Sequence, residues 1–309
     1  MPKIVITGAA GLVGQNLIQR LVKMPGVEIV GIDKNANNAA ILTQNHPQVR
    51  VIVADLASDD GWQSALEECD ALVHGHAQIG GLVAEEFVRN NITASERVMA
   101  AALAHRIPYV VNISSSVVNS MAVDNYTETK KAQEKLVAET GITQVILRPT
   151  LMFGWFDRKH VGWLARFMEQ TPVFPIPSSG RFLRQPLYVG DFCDVIMASI
   201  EKKIVGTYSI TGQQRIDYID LMRAVKRATR ARALIVRIPY WLFWTLLKMF
   251  SFVSANPPFT TKQLKALVTP DVFEVIDWPG IFGISGTPLD EALEQTFRHP
   301  VYSKIALQF

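Results

Sequence analysis

Through the first half of the chain, short and nearly continuous apolar runs alternate with longer segments of helical spacing. The apolar runs are 3–7, 28–32, 49–56, 71–74, 109–113 and 144–147. Between them, helical spacing predicts helices over 15–22, in the polar stretch after Asp33, and over 61–69, 85–104 and 126–139. Strands this short and this apolar are buried on both faces, and helices between them supply the crossovers of a parallel sheet. The predicted architecture is an α/β, doubly wound parallel sheet with right-handed crossovers and a smaller, mixed C-terminal lobe.

The pattern changes after Pro149. Pro172, Pro175 and Pro177 crowd one stretch, and the elements beyond are shorter and less regular. The expected division is a domain built on the parallel sheet over 1–150 and a smaller lobe over 151–309. Some later segments are expected to return to the first domain, notably Gly206-Thr207-Tyr208-Ser209-Ile210. The run 238–253 is strongly apolar and rich in Trp and Phe, but Lys248 interrupts it and it falls short of the ~20 residues of a spanning helix. Pro239 is placed to start a helix there. Burial in the small lobe is the expectation, because apolar helical stretches are more often core. Contact of 241–253 with a membrane interface is the minority reading, and contact with another chain a third.

Composition narrows the class. The 309 residues are 49% hydrophobic and 19% charged, enough for a large core and unlike a disordered chain. A net charge of +3, dispersed along the chain, gives no reason to expect nucleic acid as a partner. Cys69 and Cys193 are far apart with no CxxC, and six histidines are scattered without ligand spacing, so no metal site is expected. The chain enters a strand almost at once, which leaves no room for a signal peptide and makes the cytoplasm the expected location.

The chemistry begins in the first fourteen residues. Lys3-Ile4-Val5-Ile6-Thr7-Gly8-Ala9-Ala10-Gly11-Leu12-Val13-Gly14 runs a strand into a glycine turn and a helix. Gly8 suits a tight turn, Gly11 admits a pyrophosphate to the backbone, and Gly14 allows close helix–strand packing. The phosphates would rest on free N–H groups at the helix N-terminus. Asp33, closing the second strand, is spaced to accept from adenosine ribose hydroxyls, which favours NAD over NADP. Lys34 beside it partly offsets that preference.

Tyr126 and Lys130 are one helical turn apart, so their side chains leave the same helix face. A phenol is a poor base at neutral pH, and a nearby ammonium lowers its pKa. Upstream, Ser114-Ser115-Ser116 ends a strand at the carboxyl edge of the sheet, where the ligand crevice of such folds lies. Any of the three could bond a substrate oxygen while the tyrosine moves a proton.

With Asp55-Leu56, Arg148-Pro149-Thr150-Leu151-Met152-Phe153-Gly154 and Leu187-Tyr188-Val189-Gly190-Asp191, these motifs resemble the extended short-chain dehydrogenase/reductases. Within that Rossmann-type family they resemble above all the NAD-dependent nucleotide-sugar epimerases, dehydratases and reductases. The resemblance covers most of the chain. It implies that Gly8, Ala10, Gly11, Leu12, Val13 and Gly14 hold the pyrophosphate side of NAD, Asp33 the ribose, Asp55 and Leu56 the adenine, and His76-Ala77 the cofactor along a strand end. It implies Ser115, Tyr126 and Lys130 as the catalytic set, Lys130 also holding the nicotinamide ribose, with Asn91, Ser116 and Arg184 on the substrate side. Arginine suits a diphosphate through planar, charge-assisted bonds. A homodimer is implied as well.

The departures narrow the reaction. Ser116-Val117 stand where the 4,6-dehydratases carry Asp-Glu, and valine cannot transfer a proton, which disfavours that elimination. Asn119-Ser120 replace a frequent Tyr-Gly, the interval from Ser115 to Tyr126 is short, and Asn256-Pro257-Pro258-Phe259-Thr260 is like less characterised members. The leading expectation is an NAD-dependent oxidoreductase or epimerase acting on a nucleotide-linked sugar. The alternatives are an NAD(P)H-dependent reductase of a lipid-like or small carbonyl and a non-catalytic dinucleotide-binding subunit.

Overall fold

In the computed structural model, residues 2–81, 83–119, 124–157, 159–253, 260–269 and 273–308 are described. Ser120 and 256–259, which entered the sequence comparison above, lie outside them. The six apolar runs form β1 (Lys3–Thr7), β2 (Glu28–Asp33), β3 (Arg50–Val53), β4 (Ala71–His74), β5 (Val110–Ile113) and β6 (Gln144–Pro149). After four short strands, β7 (Met152–Phe153), β8 (Val173–Pro177), β9 (Leu183–Arg184) and β10 (Leu187–Tyr188), the chain returns as β11 (Gly206–Ile210). The main sheet has seven strands in the order β11-β6-β5-β4-β1-β2-β3, every pair parallel. Its order reverses between β1 and β4, which opens a crevice at their carboxyl ends.

Helices cover both faces. They are α1 (Leu12–Leu21), α2 (Ala36–Asn45), α3 (Ala84–Phe87), α4 (Ala94–Ala104), α5 (Asn125–Glu139), α6 (Val161–Gln170) and α7 (Val189–Lys202). The two-residue period of β1 divides the core: Ile4 and Ile6 pack with Leu17, Ile18 and Phe192, while Val5 packs with Trp62, Val98 and Val137 on the other face. Thus α7 and β11, both beyond residue 150, build on the first sheet. Arg20 of α1 reaches Asp194 of α7 at 3.2 Å.

The remaining elements are β12 (Ile216–Asp217), α8 (Tyr218–Thr229), β13 (Leu234–Ile238), α9 (Tyr240–Val253), α10 (Thr261–Val268), α11 (Trp278–Phe282) and α12 (Leu289–Arg298). β13 pairs in parallel with β8 as a separate two-stranded sheet.

Three expectations are corrected. The helix predicted over 61–69 is a single 3-10 turn, Trp62–Leu66; Gly61 enters it at φ +88° and Glu68 leaves at φ +53°. The helix predicted over 85–104 is broken by a π-turn at Val88–Thr93, which carries Asn91 into the interior. The apolar run expected as core is α9, yet no residue from 240 to 249 is buried, and Trp241 is 67% exposed.

Candidate active site

The glycine loop is shaped by backbone geometry. Gly8 has φ +70°, and a Cβ there would lie 2.8 Å from the His76 Cα. At Gly14 a Cβ would meet the Ala9 backbone at 2.5–2.6 Å, so α1 closes on the loop only because that residue is glycine. Gly8 and Ala9 donate to the Ile32 carbonyl at 2.9 and 3.2 Å. No side chain caps α1 and no acidic residue sits in its first turn, which leaves its N-terminus suited to an anion.

Asp33 stands beside this loop. Its carboxylate accepts from Ala10 N and Asn35 N, each at 2.9 Å. Burial pushes the carboxyl upward from the ordinary value, against the pull of those amides and of Lys34. Lys34 itself reaches Asn90 Oδ1 at 2.9 Å. Asp55 accepts from Arg89 at 2.7 Å and from Ala57 N at 3.0 Å. Burial raises that carboxyl, but Ala57 and Arg89 outweigh it and hold it below the ordinary value. Leu56 is buried next to it. The loop, a half-buried carboxylate at the end of β2 and an open helix N-terminus together fit a dinucleotide.

Across the crevice, β4 ends in His74 and β5 in the serines. His74 bonds Asn112 and His76 bonds Thr7 Oγ1, each at 2.9 Å, and the two imidazoles meet edge to face at 4.6 Å. Burial, with Lys130 nearby, lowers His74 to about 4 and His76 well below its ordinary value, so both are neutral at pH 7. Asp124 caps α5 by accepting from Thr127 N at 2.7 Å, which fixes the helix that carries Tyr126 and Lys130.

The Ser115 hydroxyl lies beside the Tyr126 phenol and favours its ionised form. Ser114 Oγ is buried without a partner among the described residues, and Ser116 opens a 3-10 turn. Lys130 is buried, donating to the Ile113 carbonyl at 2.8 Å and to Gln133 Oε1. The expected lowering of the tyrosine is not found here. Burial raises the phenol, Ser115 opposes and Asp124 adds to the rise, while Lys130 is itself lowered by burial to about 7. The ammonium points at neutral acceptors.

Two expected substrate contacts are engaged elsewhere. Asn91 accepts from Gln78 N at 2.6 Å and donates to Gln78 O and Thr129 Oγ1, so its side chain ties the loop after β4 to α5. Arg184 donates to the carbonyls of Leu183, Thr269 and Leu267, the latter two at the end of α10. It reaches α10 from β9.

The profile of the NAD dependent epimerase/dehydratase family matches residues 4–210. The chain belongs to that family. It is 24% identical over 256 residues to a 4-hydroxy-2-methyl-3-oxo-4-farnesyl-3,4-dihydroquinoline-1-oxide ketoreductase of Stigmatella aurantiaca, covering 76% of this chain and 75% of that protein. It is 22% identical over 246 residues to a ceramide reductase of Caulobacter vibrioides, covering 76% and 73%. Its fold matches the UDP-glucuronic acid 4-epimerase of Bacillus cereus, solved with NAD, at a TM-score of 0.70, 21% identity and coverage of 96% and 97%.

Within this family framework, the structure adds residues that the motifs did not single out. Gln133 Nε2 donates to Ser95 Oγ at 2.8 Å and to Asn91 O at 3.3 Å, while its oxygen faces Lys130. A buried polar chain thus runs from Lys130 through Gln133 and Ser95 to His76 and Thr7. Helical spacing carried the signal: Gln133 is three residues after Lys130 and Ser95 four after Asn91. Arg148 also forks onto Glu134 at 2.9 and 2.6 Å, bracing α5 against β6.

Proposed function

We propose that this protein is an NAD-dependent oxidoreductase or epimerase that interconverts a secondary alcohol and its ketone on a nucleotide-linked sugar. The placement of Ser115 beside Tyr126, with buried Lys130 one turn along α5 and bonded to the end of β5, carries this reading. The glycine loop and α1 would hold the pyrophosphate of NAD, and Asp33 its adenosine ribose. When bound, NAD supplies hydride acceptance and return at its nicotinamide ring. Ser115 holds the substrate oxygen. In reduction, Tyr126 gives its proton to that oxygen as hydride reaches the carbon; in oxidation it takes the proton back. The raised phenol is the protonated form at neutral pH and suits the reductive half. Oxidation requires the charge of Lys130 to be turned toward Tyr126.

Tyr126→Phe tests the assignment. Turnover should fall by ~10²–10⁴-fold with NAD binding retained. Unchanged turnover of a UDP- or dTDP-hexose would refute it. The dinucleotide released on denaturation separates the two modes: near-stoichiometric NAD indicates an epimerase that recycles its cofactor, and an empty protein indicates a reductase.

A second reading, reduction of a lipid-like ketone, is favoured by Arg184, whose guanidinium is already held by backbone carbonyls. Two relatives bear the names of a farnesylated-quinoline ketoreductase and a ceramide reductase. Stabilisation of the NAD-loaded protein by UDP or dTDP supports the sugar reading, and indifference to both supports the ketone.

A further inference from the structure

Helix α9 is apolar and lies on the surface. Trp241, Trp244, Leu246 and Met249 are exposed, and α10 is the one described element against which α9 packs substantially. The strand before it adds exposed Leu234 and Val236. So many exposed large apolar side chains on one helix are uncommon on a protein that meets only water. Its 14 residues span ~21 Å, and no described helix is long and apolar enough to cross a membrane.

Charge accompanies the apolar surface. From Arg223 to Lys248 the chain carries seven basic residues and no acidic one. Arg223, Lys226 and Arg227 of α8, with Arg230 just after it, share one shallow concavity with Ile235 of β13, the strand that leads into α9. Arg223 pairs with Asp220 at 2.7 Å and Arg227 with Asp290 at 3.0 Å. Among the described residues, no carboxylate pairs with Lys226, Arg230, Arg232 or Arg237. Tryptophans favour the headgroup boundary, where an indole has both an apolar and a polar neighbour, and unpaired cations favour anionic headgroups.

We propose that the α8–β13–α9 surface binds an anionic phospholipid bilayer, with α9 lying in the interface and the α8 cations on the headgroups. The inference is independent of the substrate, because it concerns a face outside the crevice and is tested without turnover.

The test is co-sedimentation of the full chain with phosphatidylglycerol vesicles and with phosphatidylcholine vesicles. Binding to the first, weak binding to the second and loss as salt rises from ~0.1 to ~0.5 M are expected. Trp241→Ser with Trp244→Ser should lower partitioning about tenfold or more. Lys226→Gln and Arg230→Gln should each lower it about fivefold. Melting curves verify that the variants fold, and the charge variants keep the test valid if the tryptophan pair does not. No binding to phosphatidylglycerol at low salt overturns the proposal, as does equal binding to both lipids or binding unaffected by either variant set. So does a dimer, seen by sedimentation equilibrium without vesicles, that Trp241→Ser with Trp244→Ser dissolves, since α9 would then be covered by a second copy.

Discussion

Lys130→Met in the cofactor-free protein should change how stability depends on pH. Burial places Lys130 at about 7, against 10.5 for an ordinary lysine. Between those values the unfolded chain carries the proton and the native chain does not, so native stability rises with pH by up to ~1.4 kcal/mol per unit. The penalty of the buried cation is fully present below about pH 7 and is relieved as pH rises toward the unfolded value; across the interval it amounts to ~5 kcal/mol. Methionine removes that penalty but strands the Ile113 carbonyl and Gln133 Oε1, each at a cost of ~1–3 kcal/mol. The opposing effects are similar in size near neutrality, so the sign of the change at one pH decides little. The lost hydrogen bonds do not depend on pH, whereas the charge does. Urea unfolding of both proteins from about pH 8 to about pH 9.5 should show the parent gaining ~2 kcal/mol relative to Lys130→Met. A difference that stays flat over that range would mean that native Lys130 keeps an ordinary pKa, and would refute the desolvated reading of the site.

Other substitutions test separate parts of the structure. Gly14→Ala gains about 1 kcal/mol of helix propensity but drives a Cβ to 2.5 Å from the Ala9 carbonyl oxygen, so a net loss of ~1–3 kcal/mol in chemical denaturation is expected. Asp33→Asn keeps an oxygen for one of the two loop amides while removing the charge; the ratio of NADP to NAD affinity, measured by titration, should rise about tenfold or more. Glu134→Gln disrupts the fork to Arg148, and a thermal melt should report ~1–3 kcal/mol of destabilisation, limited by the partial exposure of the pair.

What could be read from the chain depended on the range of the interactions involved. Strands β1 to β6 and the glycine turn are local in origin: apolar runs of four to six residues, punctuated by glycine, leave few alternatives. The same holds for Tyr126 and Lys130, whose shared face follows from helical spacing once α5 is recognised. The π-turn at Val88–Thr93 was not legible, because it is stabilised by Asn91 clasping both backbone groups of Gln78, a contact across thirteen residues that no local pattern announces. Nor was the setting of Lys130. Its position on a helix face was evident, but its acceptors come from the end of β5 and from a glutamine whose other bonds lead to α4 and the π-turn, so its low pKa follows from packing.

Helix α9 shows where apolar periodicity ceases to inform. A segment this apolar must lose contact with water somewhere, and within one chain the default place is the core. The body of the protein is already closed without it: α8 and α12 pack on each other, and α6 packs on α8 and β8. Burying α9 would require either displacing one of those helices or supplying a surface from outside. The hydrophobic pattern therefore identified an apolar helix and left open what covers it. Charge narrows that choice, because the acid-free basic stretch beginning at Arg223 runs directly into the helix. A second copy would bring like charges together at the same patch, at a cost of several kcal/mol unless counterions or carboxylates intervene. An anionic bilayer satisfies the indoles and the cations at once, and this electrostatic difference makes salt-dependent vesicle binding the decisive measurement for this face.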